Sequence, residues 1–269
     1  IQRLAGGLTG AAEAGNRRLP MLAVISPAKT LDYRRPLPPL EVSEPRFAAE
    51  AEALAAAAAK LGRRRLAALM HISDPLAELN AGRFRGFAEA PARPALYAFA
   101  GGVYAGFEVH SLEAEAVRFA QDHLRILSGL YGLLRPLDSI RPYRLEMGTR
   151  WAPGRRKDLY AYWQDRVARA LAEDVDDGIV INLASKEYFR AVEGHLPDAL
   201  RVIEIDFREE GPDGLRFNTF AAKRARGMFA RYLCQHRLAD PEALKGFDSD
   251  GYRFDPEHSE RDRWRFSRR

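Results

Sequence analysis

Apolar positions along the chain cluster into short runs, separated by longer stretches whose apolar residues recur at helical spacing. Residues 21–26 (MLAVIS) form an apolar run closed by Pro27, which predicts a buried strand ending in a turn. Residues 179–183 (IVINL) predict a second buried strand, and residues 96–99 are a further apolar run broken by Gly101 and Gly102. Residues 200–207 (LRVIEIDF) alternate instead, which predicts a strand with one wet face. Residues 215–220 pair with it as a hairpin across 211–214. Helix signals fall between these runs. Ser43 and Pro45 predict a capped start for an alanine-rich helix to about Leu61, and Ser73 and Pro75 one for a helix through Phe84. Ser111 is expected to cap a helix to about His123. Residues 158–173 carry Leu159, Trp163, Val167 and Leu171 four apart, an amphipathic helix. Thr219 is expected to start a helix to about Leu238, with Phe220, Met228, Phe229, Tyr232 and Leu233 on its apolar side. Aromatics among charges from Tyr252 onward predict a final edge hairpin.

Residues 1–20 are rich in Gly and Ala and have no apolar core of a secretory signal. They are expected to be a disordered or non-native N-terminal extension, with 21–269 as a single domain; no internal repeat or linker divides it. The chain has 269 residues, 46% of them hydrophobic and 29% charged, enough for a substantial core in a soluble protein. No window approaches eighteen consecutive apolar residues, so no membrane partner is expected. One cysteine excludes an intrachain disulfide framework and suits a reducing cytosol. A pI near 9.4 favours polyanionic partners.

That charge is concentrated. From Arg125 to Lys157 there are eight Lys/Arg against Asp138 and Glu146, a local +6 beside +5 for the whole chain. Within this stretch, Ser128, Gly129 and Gly132 precede Arg135, Arg141, Tyr143 and Arg144. Glycines let backbone N–H groups approach an anion, and arginines add bidentate contacts. The alternative is a glycine-bearing turn between packed elements, its arginines solvated at the rim. Two predicted strands also end in polar loops, one carrying Lys29, Thr30, Asp32 and Tyr33, the other Asn182, Ser185 and Lys186. Open α/β sheets place ligands at such ends.

Specific catalytic motifs are missing. The six histidines are scattered, so no metal site and no cofactor are expected. Cys234 lies within a predicted helix and suits burial. Glu146 and Glu187 are candidate general bases, with ion pairing to Arg144 or Lys186 as the competing role. No catalytic residue is assigned.

Four segments together resemble the bacterial peroxide stress protein YaaA family: LAVISPAKTLDY (22–33), LRILSGLYGLLRPLDSIRPYRLEMG (124–148), INLASKEYF (181–189) and AAKRARGMFARYL (221–233). FDSDGYRF (247–254) fits its C-terminal pattern, whereas the closing RDRWRFSRR departs from it and is given no role. The resemblance implies an α/β fold, a single mixed-sheet domain with surrounding helices and a helix-hairpin-helix-like element. It also implies a cytoplasmic location, DNA binding through a basic cleft, and protection against hydrogen peroxide and free iron. Residues 128–132 are the best match to the hairpin, with residues 124–127 equally readable as a strand.

Two functions compete. In the first, Lys29, Ser128, Gly129, Gly132, Arg135, Arg141, Arg144, Lys157, Lys186, Lys223 and Arg226 bind nucleic acid, and Tyr143 stacks on a base or sugar. The expected protein is then a monomer whose partner is duplex or structured DNA. In the second, the same cleft belongs to an enzyme acting on a phosphorylated or carboxylated small molecule. Asn182, Ser185, Glu146 and Glu187 motivate it, since tracking phosphates needs mostly Lys and Arg. Convergence of the strand ends would favour this second reading. An iron-handling protein is a third reading, opposed by the absence of clustered ligands.

Overall fold

The run around Met21 is buried on both sides because it becomes a central strand. The structure, a computed structural model, describes residues 19–212 and 214–269. The expectation for residues 1–20 therefore lies outside the described residues, save Leu19 and Pro20, which begin the first strand. In chain order the first half holds β1 (Leu19–Ile25), β2 (Thr30–Leu31), α1 (Ala48–Ala59), α2 (Gly62–Met70), α3 (Asp74–Arg85), β3 (Arg93–Pro94) and α4 (Ala95–Ala98). It continues through β4 (Phe99–Ala100), α5 (Gly102–Phe107), α6 (Ala114–His123), β5 (Leu124–Ser128), β6 (Gly132–Leu134) and β7 (Ser139–Ile140). The second half holds α7 (Leu159–Trp163), α8 (Arg166–Asp174), β8 (Val175–Asn182), α9 (Lys186–Phe189), β9 (Arg201–Gly211) and β10 (Gly214–Arg216). It ends with α10 (Thr219–Gln235), β11 (Arg253–Phe254) and β12 (Arg263–Arg268).

The main sheet is mixed and eight-stranded, in the order β11-β12-β9-β8-β1-β5-β6, with β10 paired to β9. Strands β12, β9, β8, β1 and β5 run parallel, and β11, β6 and β10 are antiparallel additions. Continuous apolar runs suit parallel strands covered on both faces; Met21 to Ile25 and Leu124 to Ser128 are buried throughout. Helix α10 lies against β1 and β9 with α5 and α6 beside it, while α8 lies against β6 and β8. From β1 the chain moves to β5 on one side and later returns to β8 on the other. This puts a change of direction at the carboxyl ends of β1 and β8, where open sheets form ligand crevices.

The alternating segment behaves as its pattern predicts. Ile203, Ile205 and Phe207 are buried in the core, and β10 returns along β9 as the hairpin. The four-residue spacing of Leu159, Trp163, Val167 and Leu171 likewise marks side chains that are all fully buried, each contributing about 1.5–3 kcal/mol. Their helix is broken, however: Gln164 adopts φ 49° and separates α7, capped by Asp158, from α8.

Other expectations need correction. Ser43 does not cap α1, whose hydroxyl partner would have to compete with a buried carboxylate. Ser43 Oγ donates to Asp138 Oδ1 at 2.7 Å and accepts from Gln121 Nε2, and α1 starts only after Phe47. Ser111 Oγ donates to the Glu108 carbonyl in a 3₁₀ turn, and α6 follows Glu113. The 96–99 run is one helical turn, α4, followed by β4. Helix α10 does start at Thr219 but ends at Gln235, and Asn218 caps it, its Oδ1 accepting from Phe220 N and Ala221 N. Phe220, placed on the apolar side of that helix by its spacing, is 85% exposed.

The segment matched to a helix-hairpin-helix is instead the turn of a β-hairpin. Ser128 pairs with Gly132 across β5 and β6, and Gly132 takes φ 67°, which a glycine reaches without strain. The closing RDRWRFSRR, given no role, supplies β12. Its Trp264 and Phe266 are buried, Phe266 in a cluster with Phe207, Phe229 and Phe247. Edge hairpin and sheet extension are thus the same feature.

Candidate functional site

Three strand ends meet. At the end of β1, Ser26 Oγ accepts from the Ser185 backbone N–H at 2.9 Å, which joins the loop after β1 to the loop after β8. The Tyr104 hydroxyl on α5 donates to the Ser26 carbonyl at 3.1 Å. The segment beyond the β5–β6 hairpin arrives through two carboxylates. Glu146 Oε1 lies 3.2 Å from Lys29 Nζ and accepts from Arg144 Nη2 at 2.9 Å. Glu187 Oε1 accepts from the Gly148 backbone N–H at 3.0 Å. Both candidate bases are therefore engaged structurally, although Glu146 Oε2 is buried with no hydrogen-bond partner.

Around this junction opens a cleft of about 1120 Å³. Its walls carry the cations Lys29, Lys186, Arg208, Lys223, Arg226 and Arg263. The acids are Glu187, Glu193, Glu204 and Asp206. The wet face of β9 forms part of the wall: Glu204, Asp206 and Arg208 alternate with the buried Ile203, Ile205 and Phe207. Register places Asn182 beside Glu204, and Glu204 beside Arg263 on the next strand. Asp206 is engaged by Arg208 at 3.0 Å and Arg265 at 3.2 Å. Lys186, Lys223, Arg226 and Arg263 make no ion pair among the described residues, and Arg226 Nε and Arg263 Nε are buried without a hydrogen-bond partner. Burial lowers the Arg226 pKa, opposed by Glu204 and Asp206. Burial pushes the phenols of Tyr104 and Tyr188, which also line the cleft, well above the ordinary value, so both remain neutral hydroxyls.

Of the residues expected at a nucleic-acid site, the structure brings together Lys29, Lys186, Lys223 and Arg226, from four distant parts of the chain. Arg144 stands behind Lys29, held by Glu146. The rest lie elsewhere. Ser128 and Tyr143 are buried and bonded to each other through their hydroxyls at 2.7 Å, so Tyr143 has no face for a base. Burial raises its phenol strongly, and raises the neighbouring Tyr131 phenol to about 12. Gly129 is packed against the Leu145 carbonyl, 2.3 Å from where a Cβ would sit, and its own carbonyl accepts from Trp163 Nε1. Gly132 is covered by Trp163 and Phe47. Both glycines are buried. Arg135 borders a separate hollow with Arg46, Arg125 and Asp174. Arg141 faces Glu52 at 3.7 Å and the Phe87 ring, and Lys157 sits in an exposed segment before α7. Among the described residues no three His, Cys, Asp or Glu side chains cluster to hold a metal ion.

The residues missed by sequence reasoning are Glu204, Asp206, Arg208 and Arg263, together with Phe217, which is 46% exposed at the cleft. Alternation in β9 was the available signal for the first three. For Arg263 only the register of β12 against β9 supplies one.

Comparison with known proteins agrees with this architecture in extent. The family profile described as peroxide stress protein YaaA matches residues 21–258. A UPF0246 protein of Rhizorhabdus wittichii is 61% identical over 249 residues, covering 91% of this chain and 98% of that protein. UPF0246 proteins of Roseobacter denitrificans and Methylibium petroleiphilum are 50% and 46% identical, covering 90% and 93% of this chain and 96% and 99% of their own.

Proposed function

Because the chain belongs to the peroxide stress protein YaaA family, we propose that it protects against hydrogen peroxide by binding DNA at the sheet-end cleft. The observation that carries this reading is the gathering of six cations in one cleft, four of them without an ion pair among the described residues. Unpaired cations are where phosphates displace counterions. Affinity of this kind is largely independent of sequence, since phosphate contacts position a protein without reading bases. The helix-hairpin-helix contact implied by the resemblance moves, on this reading, to α2 and α3. Only residues 71–73 separate these two helices, His71 adopts φ 51°, and Arg63 and Arg64 are exposed on α2. Limiting damage from free iron follows from occupying the DNA rather than from holding the iron. No helix of the described residues is long and apolar enough to cross a membrane.

Fluorescence anisotropy with labelled duplex across a salt series tests the reading. If about six phosphates are contacted, affinity falls roughly 10³-fold between 50 and 200 mM salt. A Lys186→Ala/Lys223→Ala variant is expected to flatten the log–log slope by about 1.8, two contacts' worth. Arg144→Ala serves as the control: with its guanidinium engaged by Glu146, it should leave the slope unchanged while lowering the melting temperature. A slope that responds to Arg144 but not to the lysine pair would move the site away from this cleft. The protective role has its own measurement. Purified protein is expected to reduce strand breakage of plasmid DNA by ferrous iron and peroxide, and the lysine variant to lose that effect; equal protection by both would dissociate protection from cleft binding.

A second reading rests on the four carboxylates among the cations and on the convergence of three strand ends. That mixture suits an enzyme acting on a phosphorylated or carboxylated small molecule. Thermal shift with nucleotides, sugar phosphates and dicarboxylates, lost in Lys223→Ala, would favour it over DNA binding.

A further inference from the structure

The most exposed large apolar side chain among the described residues stands beside the cleft. Phe220, 85% exposed, occupies the first turn of α10 next to Thr219 and one turn from Lys223, both of which line the wall. Phe217, immediately before the capping Asn218, lies in the cleft itself with the Arg208 guanidinium 5.5 Å over its ring. An aromatic ring left in water in the first turn of a helix, one turn from the unpaired Lys223, has the composition of a stacking platform for nucleic-acid bases.

The cleft has matching dimensions and chemistry. At about 1120 Å³ its interior is on the scale of a small-ligand pocket and takes one or two nucleotides, while a paired duplex, whose major groove alone is roughly 12 Å wide, would lie across its mouth. Its floor also differs from a phosphate track. Asn182 and Glu204 sit side by side in register; Asn182 Oδ1 accepts from the Ala184 backbone N–H, which leaves its amide N–H groups and the Glu204 carboxylate to meet acceptor and donor groups of a base edge. Lys186 and Lys223, which make no ion pair among the described residues, remain for the phosphates on either side. Wedges of this kind hold a duplex open in proteins that unstack bases, and the extruded nucleotide then enters a pocket.

Resting on the DNA-binding reading, we propose that the cleft receives a single unpaired nucleotide of a DNA strand, with Phe220 as the wedge at its mouth and Phe217 stacking within. The occupant is a nucleotide still attached to its strand, because the wedge contributes nothing to capture of a free one.

The test uses a duplex carrying 2-aminopurine opposite a mismatch, its fluorescence reporting extrusion while anisotropy of the same sample reports binding. Wild type is expected to bind and raise the 2-aminopurine emission severalfold. Phe220→Ala should bind the paired duplex within about twofold, lose most of the emission rise, and bind single strands about tenfold more weakly. Phe220→Leu, an apolar wedge without a π-face, should keep much of the emission rise while binding single strands more weakly than wild type; melting temperatures equal to wild type would show that both variants are folded. Lys223→Ala should weaken binding to paired and single-stranded DNA alike. Binding without any emission rise in wild type, or a full rise in Phe220→Ala, would overturn the wedge while leaving DNA binding intact. Failure of wild type to bind either DNA would overturn both. Free deoxynucleoside monophosphate that binds the cleft and is indifferent to Phe220→Ala, with no extrusion, would make it a small-molecule pocket and also overturn the proposal.

Discussion

The Asp174→Ala variant is expected to lose about 3–5 kcal/mol of stability, the cost typical of breaking a buried ion pair on one side only. Asp174 ends α8, and Arg125 lies on β5; their side chains are 3% and 4% exposed. Arg125 Nε donates to Asp174 Oδ2 at 2.6 Å, and Arg46 Nη2 donates to Oδ1 at 2.6 Å. Arg125 Nη1 donates to the carbonyls of Gln121, Asp122 and Leu124. Burial lowers the Arg125 pKa and Asp174 opposes that shift. Without the carboxylate a cation stays desolvated between strand and helix, and the negative end of α8 is too weak a substitute, worth at most about 2 kcal/mol. At about 2–4 °C per kcal/mol for a chain of this size, the melting temperature should fall by roughly 6–20 °C. An Arg125→Met/Asp174→Leu double variant is expected near wild type, since removing both charges removes the desolvation cost with them. Calorimetry on the three proteins decides it. A loss under about 1 kcal/mol for Asp174→Ala would mean that Arg125 finds water or another partner.

This pair also shows why density of charge in the sequence was a poor guide to the site. Arg125, Arg135, Arg141 and Arg144 are close along the chain, yet the fold sends Arg125 inward to Asp174, leaves Arg135 at a hollow beside that pair and away from the cleft, and turns Arg141 to Glu52 and Arg144 to Glu146. Lys29, Lys186, Lys223 and Arg226 are scattered along the chain, and it is the parallel order of β8, β1 and β9 that gathers them. The strands themselves were legible, because double-sided burial leaves an unbroken apolar run in residues 21–25 and one wet face leaves alternation in β9. Hairpin 128–132 was not. A serine and two glycines serve a tight turn between strands as well as a phosphate loop, and only the pairing of Ser128 with Gly132 separates them. Tyr143 misled for a related reason: a tyrosine among arginines reads as a stacking group until its hydroxyl is seen to be satisfied by Ser128 in the core. Caps at Ser43 and Ser111 failed because a hydroxyl has other acceptors to choose from, here the Asp138 carboxylate and a nearby carbonyl.

The other large effect is expected from Gly227→Ala, where stability and site are linked. Helices α5 and α10 touch backbone to backbone through two glycines. A Cβ on Gly227 would lie 1.8 Å from the Val103 carbonyl oxygen, and one on Gly106 would lie 2.1 Å from that of Arg224, where real contacts stay beyond 3.0 Å. Neither obstacle is a side chain that can turn aside, so α5 and α10 must separate by more than an ångström. Overpacking of this kind costs about 3 kcal/mol or more, a fall of roughly 6–12 °C in melting temperature. Gly82 in α3 is the control: nothing lies within 4 Å of its Cβ position, and Gly82→Ala should gain about 0.5–1 kcal/mol from helix propensity. The functional consequence follows from what the two helices carry. Tyr104 on α5 ties that helix to the Ser26 carbonyl, and Lys223 and Arg226 on α10 line the same cleft, Lys223 packed against Gly102 of α5. Separating the helices displaces these two parts of the wall relative to each other, so Gly227→Ala should weaken DNA binding even at temperatures where the protein remains folded, as judged by circular dichroism. Phe220→Ala, by contrast, should alter extrusion with no change in melting temperature. A Gly227→Ala protein as stable as wild type would show that α5 can move freely over α10, and the cleft would then have no fixed width for a nucleotide to fit.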